Sequence, residues 1–425
     1  MAWDFSTEPA FEEKLNWMRA FVRDEIIPLE TLDLDPETLA EATEPLKAEV
    51  KRRGLWAAHL PPELGGGGFG QVKLGLMNEI LGTCSYAPSV FGNNAPDSGN
   101  AELLALGGTE EQKQKWMYPL LDGTLRSAFS MTEPGAGADP TLLTTRAVRD
   151  GDEWVINGHK WFTSNGSAAD FLVVMVVTDP DAAPHRRASV IIVPTDTPGV
   201  NIVRDVPTMS HPDSRKVGGH SEIRYQDVRV PASNLIGAEG DGFLLAQKRL
   251  GPGRIHHCMR WLGQSQRAFD MLCERAVSRY VHGSTLADKQ LVQDWVATSA
   301  AEMQAARLMT LHAAWKMDTL GVRAALTDIA MIKFWGASVL YNVIDRAIQV
   351  HGSLGYTTDL PLEAMYREAR SARIYDGPDE VHKVSIARRI LNGYAPVEVP
   401  TEHVPSRRAA AHAKFASLLD RHAAA

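Results

Sequence analysis

The hydrophobic residues of this 425-residue chain change their spacing twice, and that change limits the architecture more than any single motif. Between Glu12 and Ile27, the residues Leu15, Met18, Phe21, Val22 and Ile26 recur at three or four positions, the spacing of one helix face. Pro28 is expected to end that helix, because it lacks an N–H and crowds the preceding turn. Similar spacing over 44–53, 72–81 and 99–106, separated by breakers such as ELGGGGFGQ, makes residues 1–125 a helical region. From 126 to 237 the pattern shortens. Trp154–Ile156, Phe171–Val177 and Ser189–Val193 are β-branched runs bounded by Asn-Gly, Asp-Pro-Asp and Thr-Pro-Gly, the composition of strands and turns. In EIRYQDVRV, Ile223 and Tyr225 share one parity and Val228 and Val230 the other, so a bulge is expected near Gln226 and Asp227. Helical spacing returns from Phe243 to Leu391, with long segments over 262–280, 287–320 and 324–350 that suit a bundle. The expected organisation is α+β: a helical domain (1–125), a β domain (126–237), a helical bundle (238–395) and a helical or frayed tail (396–425).

Hydrophobic content of 44% and charged content of 23% fit a packed globular chain rather than a disordered or fibrous one. A net charge of -8 gives no general attraction for nucleic acid or anionic lipid. Cys84, Cys258 and Cys273 are odd in number and far apart, which suits reduced, buried thiols better than a disulfide framework. The start, MAWDFSTEPAFEEKL, lacks the basic and apolar regions of a signal peptide and is too acidic for a transit peptide. No apolar run approaches the roughly 20 residues of a membrane span. A cytoplasmic location without membrane insertion is the expectation.

Three segments carry candidate chemistry. SMTEPGAGADPT (130–141) holds glycines that allow backbone N–H groups to approach a phosphate, although it also reads as an ordinary turn and matches no dinucleotide or P-loop fingerprint. INGHKWFTSNGSAADF (156–171) follows two aromatic faces, Trp161 and Phe162, with the hydrogen-bonding Thr163, Ser164 and Asn165, a combination able to hold a ring system. ARIYDGPDEVHKVSIARRIL (372–391) places Asp376 in a turn before a helix, either as a turn residue or as a carboxylate presented to a substrate. His256 and His257 are adjacent, so on a helix they diverge by about 100° and do not converge on one metal ion. No metal site is expected.

Together, in this order, the three segments resemble the acyl-CoA dehydrogenase family from about residue 12 to 395. The wording GPGRIHHCMR, AMIK and DGPDEVH is most similar to the branch of mammalian family members ten and eleven, where an aspartate also stands at the position of the usual glutamate. The resemblance implies an N-terminal helical domain, a central β domain and a C-terminal four-helix bundle, with FAD bound between the last two and a neighbouring subunit. It places Phe129, Met131 and Thr132 beside the flavin, Gly137 and Ala138 near its pyrophosphate, and Phe162 and Ser164 at its other face and edge. Pro378 and Glu380 join this cofactor set. From the adjoining subunit of a homodimer or homotetramer, Arg279, His282 and Gln290 would reach FAD, with Gln349 and Gly352 at its adenosine half. Ala138, Arg254 and Gly377 would contact the acyl-CoA substrate. Ala138, Phe162, Ser164, His282 and Asp376 depart from the commoner serine, tryptophan, threonine, phenylalanine and glutamate.

The implied reaction is α,β-dehydrogenation of an acyl-CoA, with Asp376 removing the Cα proton and hydride passing from Cβ to flavin N5. Negative charge grows on the thioester oxygen and requires donors aimed there in advance, which the resemblance assigns to the Asp376 N–H and a cofactor hydroxyl. Electron-transferring flavoprotein is the implied acceptor. Burial is expected to raise the Asp376 pKa and a nearby Arg254 to lower it. Rival readings are a nitroalkane oxidase, which also uses an aspartate, an acyl-CoA oxidase, and a silent acyl-CoA-binding protein.

Overall fold

A computed structural model describes residues 7–423 except 33, 65, 211–218 and 397–404. The chain packs as two units, residues 1–383 and residues 384–425. In the first, α1 (Pro9–Phe21) begins with proline where no N–H is needed and buries Phe11, Leu15 and Met18. The helical course ends before Pro28, as expected, but a short 3₁₀ segment runs on. A π turn over Val22–Ile26 buries Val22 and Ile26, and Pro28 then sits in the first turn of a 3₁₀ segment, Ile27–Thr31, where its missing N–H costs nothing. Helix α2 (Pro36–Arg52) is capped by Asp35, which accepts the N–H groups of Glu37 and Thr38 at 3.0 Å. Helices α3 (Gly70–Leu81) and α4 (Asp97–Gly107) follow, and consecutive helical turns over Glu110–Gln112, Lys113–Met117 and Tyr118–Asp122, carrying Trp116, end the N-terminal layer.

The central sheet comprises β1 (Ser127–Ser130), β2 (Arg146–Asp150), β3 (Glu153–Ser164), β4 (Phe171–Val177), β5 (Ala188–Pro194), β6 (Val200–Val206), β7 (His220–Pro231) and β8 (Leu235–Ile236). Its order is β6-β7-β3-β2-β4-β5-β8, with β1 parallel to β4. Every residue of β4 is buried, because the sheet is covered on both faces there. Leu172, Val174 and Val176 enter the cluster with Ile156, Ile191 and Tyr225. Phe171 and Val173 meet Leu103, Leu104 and Trp116 of the N-terminal layer. The expected bulge is present: β3 and β7 slip register between Ile156/Val228 and Gly158/Tyr225, which leaves Gln226 and Asp227 opposite Asn157. Asp227 takes the left-handed conformation, φ 50°, and its N–H bonds the Asn157 side chain at 2.9 Å. The strand expected over Trp154–Ile156 runs on to Ser164.

Beyond the sheet stand α5 (Gly242–Ser278), α6 (Gln290–Leu320), α7 (Val322–His351) and α8 (Leu362–Ala372), which share one apolar cluster. Helix α5 begins well before the long segment expected from 262 and carries Pro252 within it. Helix α9 (Asp379–Leu391) closes the C-terminal region. In the second unit, α10 (Pro405–Lys414) and α11 (Ala416–Ala423) are helices with exposed residues from Arg407 onward. Among the described residues, no helix is long and apolar enough to cross a membrane.

Helices α3 and α5 touch backbone to backbone. A Cβ on Gly263 would lie 1.9 Å from the Glu79 carbonyl oxygen, and one on Gly82 would lie 2.0 Å from that of Arg260. These contacts fix the rotation of α5, which carries the histidines and arginines described below. Gly263→Ala should therefore destabilise the fold by about 1–3 kcal/mol through overpacking. Gly253→Ala, where a Cβ meets nothing within 4 Å, should be neutral or stabilising. Urea midpoints of the two variants check the contrast.

Candidate active site

Asp376 lies in the turn between α8 and α9 with φ 54°, followed by Gly377 at 98°. A left-handed backbone costs an ordinary L-residue roughly 1–2 kcal/mol, so something must hold it. The restraint acts on carbonyls. Arg254 donates Nε and Nη2 to the Asp376 carbonyl at 3.2 and 3.0 Å, and His382 Nε2 lies 3.2 Å from the same oxygen. Since a carbonyl only accepts, the His382 proton resides on Nε2. Lys333, fully buried on α7, donates to the Ala372 carbonyl at 2.6 Å and the Gly377 carbonyl at 3.4 Å. A Cβ at Gly377 would sit 2.9 Å from His382 Nε2, so this position requires glycine twice over. Arg373 bonds Asp379 at 2.7 Å and ties the turn to the start of α9. Among the described residues, no acceptor takes the Asp376 N–H.

The Asp376 carboxylate itself is left open, with 22% of the side chain exposed. Its Oδ2 lies 3.4 Å from His257 Nε2. Burial pushes its pKa up, but His257, Arg254, Arg249 and Lys333 together outweigh that and hold it below the usual aspartate value. These neighbours, of which Arg254, Arg249 and Lys333 are the cations near pH 7, therefore outweigh burial in the free chain. Burial lowers His257 to about 4, with Arg260 adding to the effect, so the imidazole beside Asp376 is neutral near pH 7. His256 on the same helix faces away, 3.1 Å from the Gln71 side chain. Among the described residues, no His, Cys, Asp and Glu cluster could hold a metal ion.

The second part of the site comes from the sheet. Between Lys160/Ile223 and Thr163/Ser221 the β3–β7 register slips again, which pushes Trp161 and Phe162 out of the ladder. Phe162 has φ 51° and stays 42% exposed. An exposed aromatic in this conformation is rare and marks a constrained site. At the end of β3, Ser164 Oγ lies 2.8 Å from Nδ1 of its cross-strand partner His220, the first residue of β7. On β1, Phe129 lies under the Arg249 guanidinium at 4.4 Å. Met131 and Thr132 are half-buried, while Pro134, Gly135, Gly137 and Ala138 are exposed.

A buried ion pair supports that exposed turn. Lys160, on the inward parity of β3, donates to Glu133 at 2.9 Å and to the Met131 carbonyl at 2.7 Å. Glu133 also accepts from the Thr144 N–H and hydroxyl and the Thr145 N–H. Burial opposes the Glu133 charge, yet Lys160 and the threonines overcome it and hold the carboxyl at about 2. Lys160 is pulled down to about 8 by burial, because it has fewer partners, and both groups remain charged at neutral pH.

The remaining expected residues lie elsewhere. Arg279, His282, Gln290, Gln349 and Gly352 are all exposed. Arg279 is 25 positions beyond Arg254 on α5 and its C-cap, about 37 Å at helical rise. Gln349 lies 16 positions beyond Lys333 on α7, about 24 Å away. These residues do not join the Asp376 site within one chain. Val277, Tyr280, Leu291 and Tyr356 expose apolar side chains near the same positions in sequence.

Models of the acyl-CoA dehydrogenase N-terminal, middle and C-terminal domains match residues 10–124, 128–228 and 240–391, and the chain belongs to the acyl-CoA dehydrogenase family. It is 48% identical over 355 residues to "Probable acyl-CoA dehydrogenase FadE2" of Mycobacterium tuberculosis, covering 82% of this chain and 85% of that protein. It is 43% identical to rat acyl-CoA dehydrogenase family member 11 over 83% of this chain, but spans only 45% of that longer protein. A solved Mycobacterium abscessus protein superposes with TM-score 0.86 at 38% identity, covering 92% of this chain and 100% of that one. A glutaryl-coenzyme A dehydrogenase in complex with glutaryl-CoA superposes with TM-score 0.81 at 27% identity, covering 92% and 98%. The chain is thus an oxidoreductase of the acyl-CoA dehydrogenase type.

Sequence reasoning missed the Lys160–Glu133 pair, although Trp154, Ile156 and Lys160 share the inward parity of β3. It also missed Lys333 and the contact of His257 with Asp376, which depend on how three helices meet. Glu133 gives a pH test. Its folded pKa of about 2 lies below the unfolded value of about 4.3, so its stabilisation is complete above about 4.3 and lost as pH falls toward 2. Lys160→Met, which strands the buried carboxylate, should cost about 3–5 kcal/mol at pH 7. The deficit relative to wild type should shrink between pH 4 and 2 in urea denaturation.

Proposed function

We propose that this chain dehydrogenates acyl-CoA thioesters to 2-enoyl-CoA, with Asp376 as the base that removes the Cα proton. The observation that carries this reading is the Asp376 turn: its carbonyl is held by Arg254 and His382 while its carboxylate stays partly open to solvent and is kept ionised by surrounding cations. A base must be unprotonated and free to reach the substrate, and this arrangement meets both needs. The Asp376 N–H, without a protein acceptor among the described residues, is available to the thioester oxygen as charge develops there. Arg254 supports the loop, and Gly377 takes the left-handed conformation that follows the base.

The residues fit FAD. Phe162 offers an exposed ring beside Ser164, and exposed Gly135, Gly137 and Ala138 offer backbone N–H groups to a diphosphate, with Phe129, Met131 and Thr132 along the edge. Pro378 and Glu380 border the same loop. When bound, FAD would supply the acceptor for the Cβ hydrogen as hydride at N5. The exposed Arg279, His282, Gln290, Gln349 and Gly352 are assigned to the cofactor of a neighbouring subunit, consistent with the apolar side chains exposed near them. A homodimer or homotetramer in the cytoplasm, with electron-transferring flavoprotein as the acceptor, completes the reading.

Asp376→Asn should bind FAD with wild-type stoichiometry yet lose anaerobic bleaching by acyl-CoA, read from flavin absorbance. Retained bleaching removes Asp376 as the base. Arg279→Ala should lower FAD content or weaken assembly, measured by absorbance ratio and sedimentation, and an unchanged variant counts against a shared cofactor site.

A further inference from the structure

The helix–helix contact that sets α5 also puts an imidazole against the carboxylate, which the dehydrogenation itself does not require. His257 Nε2 and Asp376 Oδ2 are 3.4 Å apart, and each side chain is 22% exposed. That distance is long for a hydrogen bond, as is common for catalytic contacts before substrate closes the site. The imidazole is held from two sides. It stacks on Trp261, one helical turn along α5, at 6.4 Å and meets Tyr375 edge-on at 5.3 Å. Trp261 in turn donates its indole N–H to the Tyr375 hydroxyl at 2.9 Å, and Lys333 lies 5.3 Å from each of those two rings. Tyr375 immediately precedes Asp376, so the same ring that orients His257 is anchored to the base loop.

We propose that His257 is a positioning residue for the base: its Nε2–H holds Oδ2 of Asp376 and leaves Oδ1 to meet the substrate Cα–H. This rests on Asp376 being the base. Aspartate is one methylene shorter than glutamate, so its carboxylate has less freedom to find the proton, and a fixed rotamer compensates for the lost reach. In the proton step the Cα–H bond breaks and an Oδ1–H bond forms, with the electron pair left on the thioester; His257 neither gains nor loses a proton. The tautomer follows from charge: near neutral pH the ring carries a single proton, and a carboxylate oxygen accepts only.

The charged neighbours are compatible with this role. Arg249, Arg254 and Arg260 come from α5 and Lys333 from α7, while Cys258, Tyr375 and His382 face the pair without adding charge near neutral pH. Arg249, Arg254 and Lys333 favour an ionised Asp376, and Arg249, Arg260 and Lys333 favour a neutral His257.

The test uses the FAD-loaded enzyme. His257→Phe should keep FAD and bind a non-reducible acyl-CoA thioether with unchanged affinity. It should slow exchange of the substrate Cα hydrogen into D2O by up to about 100-fold. Its acid limb in the pH profile of kcat/KM should move upward by about one unit, as expected for loss of one charge-assisted contact. His257→Gln, which can restore an N–H, should recover most of the exchange rate. Wild-type exchange and an unmoved acid limb in His257→Phe would overturn the proposal. So would failure of the Gln variant to exceed the Phe variant. If Asp376→Asn still exchanges Cα hydrogen, the base assignment fails instead; if it is inactive while His257→Phe behaves as wild type, only the role of His257 is lost.

Discussion

The candidate site depends on one constraint: the protein grips the backbone of the Asp376 turn and leaves its carboxylate alone. Arg254 and His382 converge on the Asp376 carbonyl, and buried Lys333 takes the carbonyls on either side. Had the same cations bonded the carboxylate directly, the base would be neutralised by a tight ion pair and its lone pairs occupied. Held at the carbonyl, the cations act at longer range, keeping the acid ionised while the carboxylate remains open. The left-handed backbone at Asp376 is maintained by this grip, and Gly377 makes room for His382.

Everything that supplies the grip arrives by packing. Arg254 rides on α5, whose rotation is set by glycine contacts with α3, Lys333 rides on α7, whose apolar face joins the same cluster, and His382 is carried by α9, buried just beyond the turn. The cofactor-facing edge is built independently from the sheet. A register slip projects Phe162, and the Lys160–Glu133 pair anchors the exposed turn beside it. The two halves of the site therefore have separate structural causes, and damage to one need not unfold the other.

Much of the architecture was legible in spacing. The β-branched run 171–177 is a strand of those bounds, and the parity slip in EIRYQDVRV marks a real bulge. These features are local, so a sequence carries them. The helix expected to stop at Pro28 does end before it, at Ile26, but a short 3₁₀ segment runs on to Thr31, because a proline in its first turn loses no hydrogen bond. At the site, the Asp376 turn and its neighbour Arg254 were legible from wording, but the bonding of Arg254 to a carbonyl was not. The adjacent histidines were weighed only as metal ligands; their divergence sends His256 to Gln71 and His257 to Asp376, which requires knowing what lies on each side of α5. Lys333 resembled any helix lysine until its position between three helices was known.

The most direct measurement is anaerobic titration of the purified wild-type protein with saturated acyl-CoA thioesters and, separately, with nitroalkanes, following the flavin absorbance. The expectation is a yellow protein bleached stoichiometrically by an acyl-CoA, with the 2-enoyl-CoA recovered, and unaffected by nitroalkanes. A colourless protein, or one bleached by nitroalkanes and by no acyl-CoA, would contradict it.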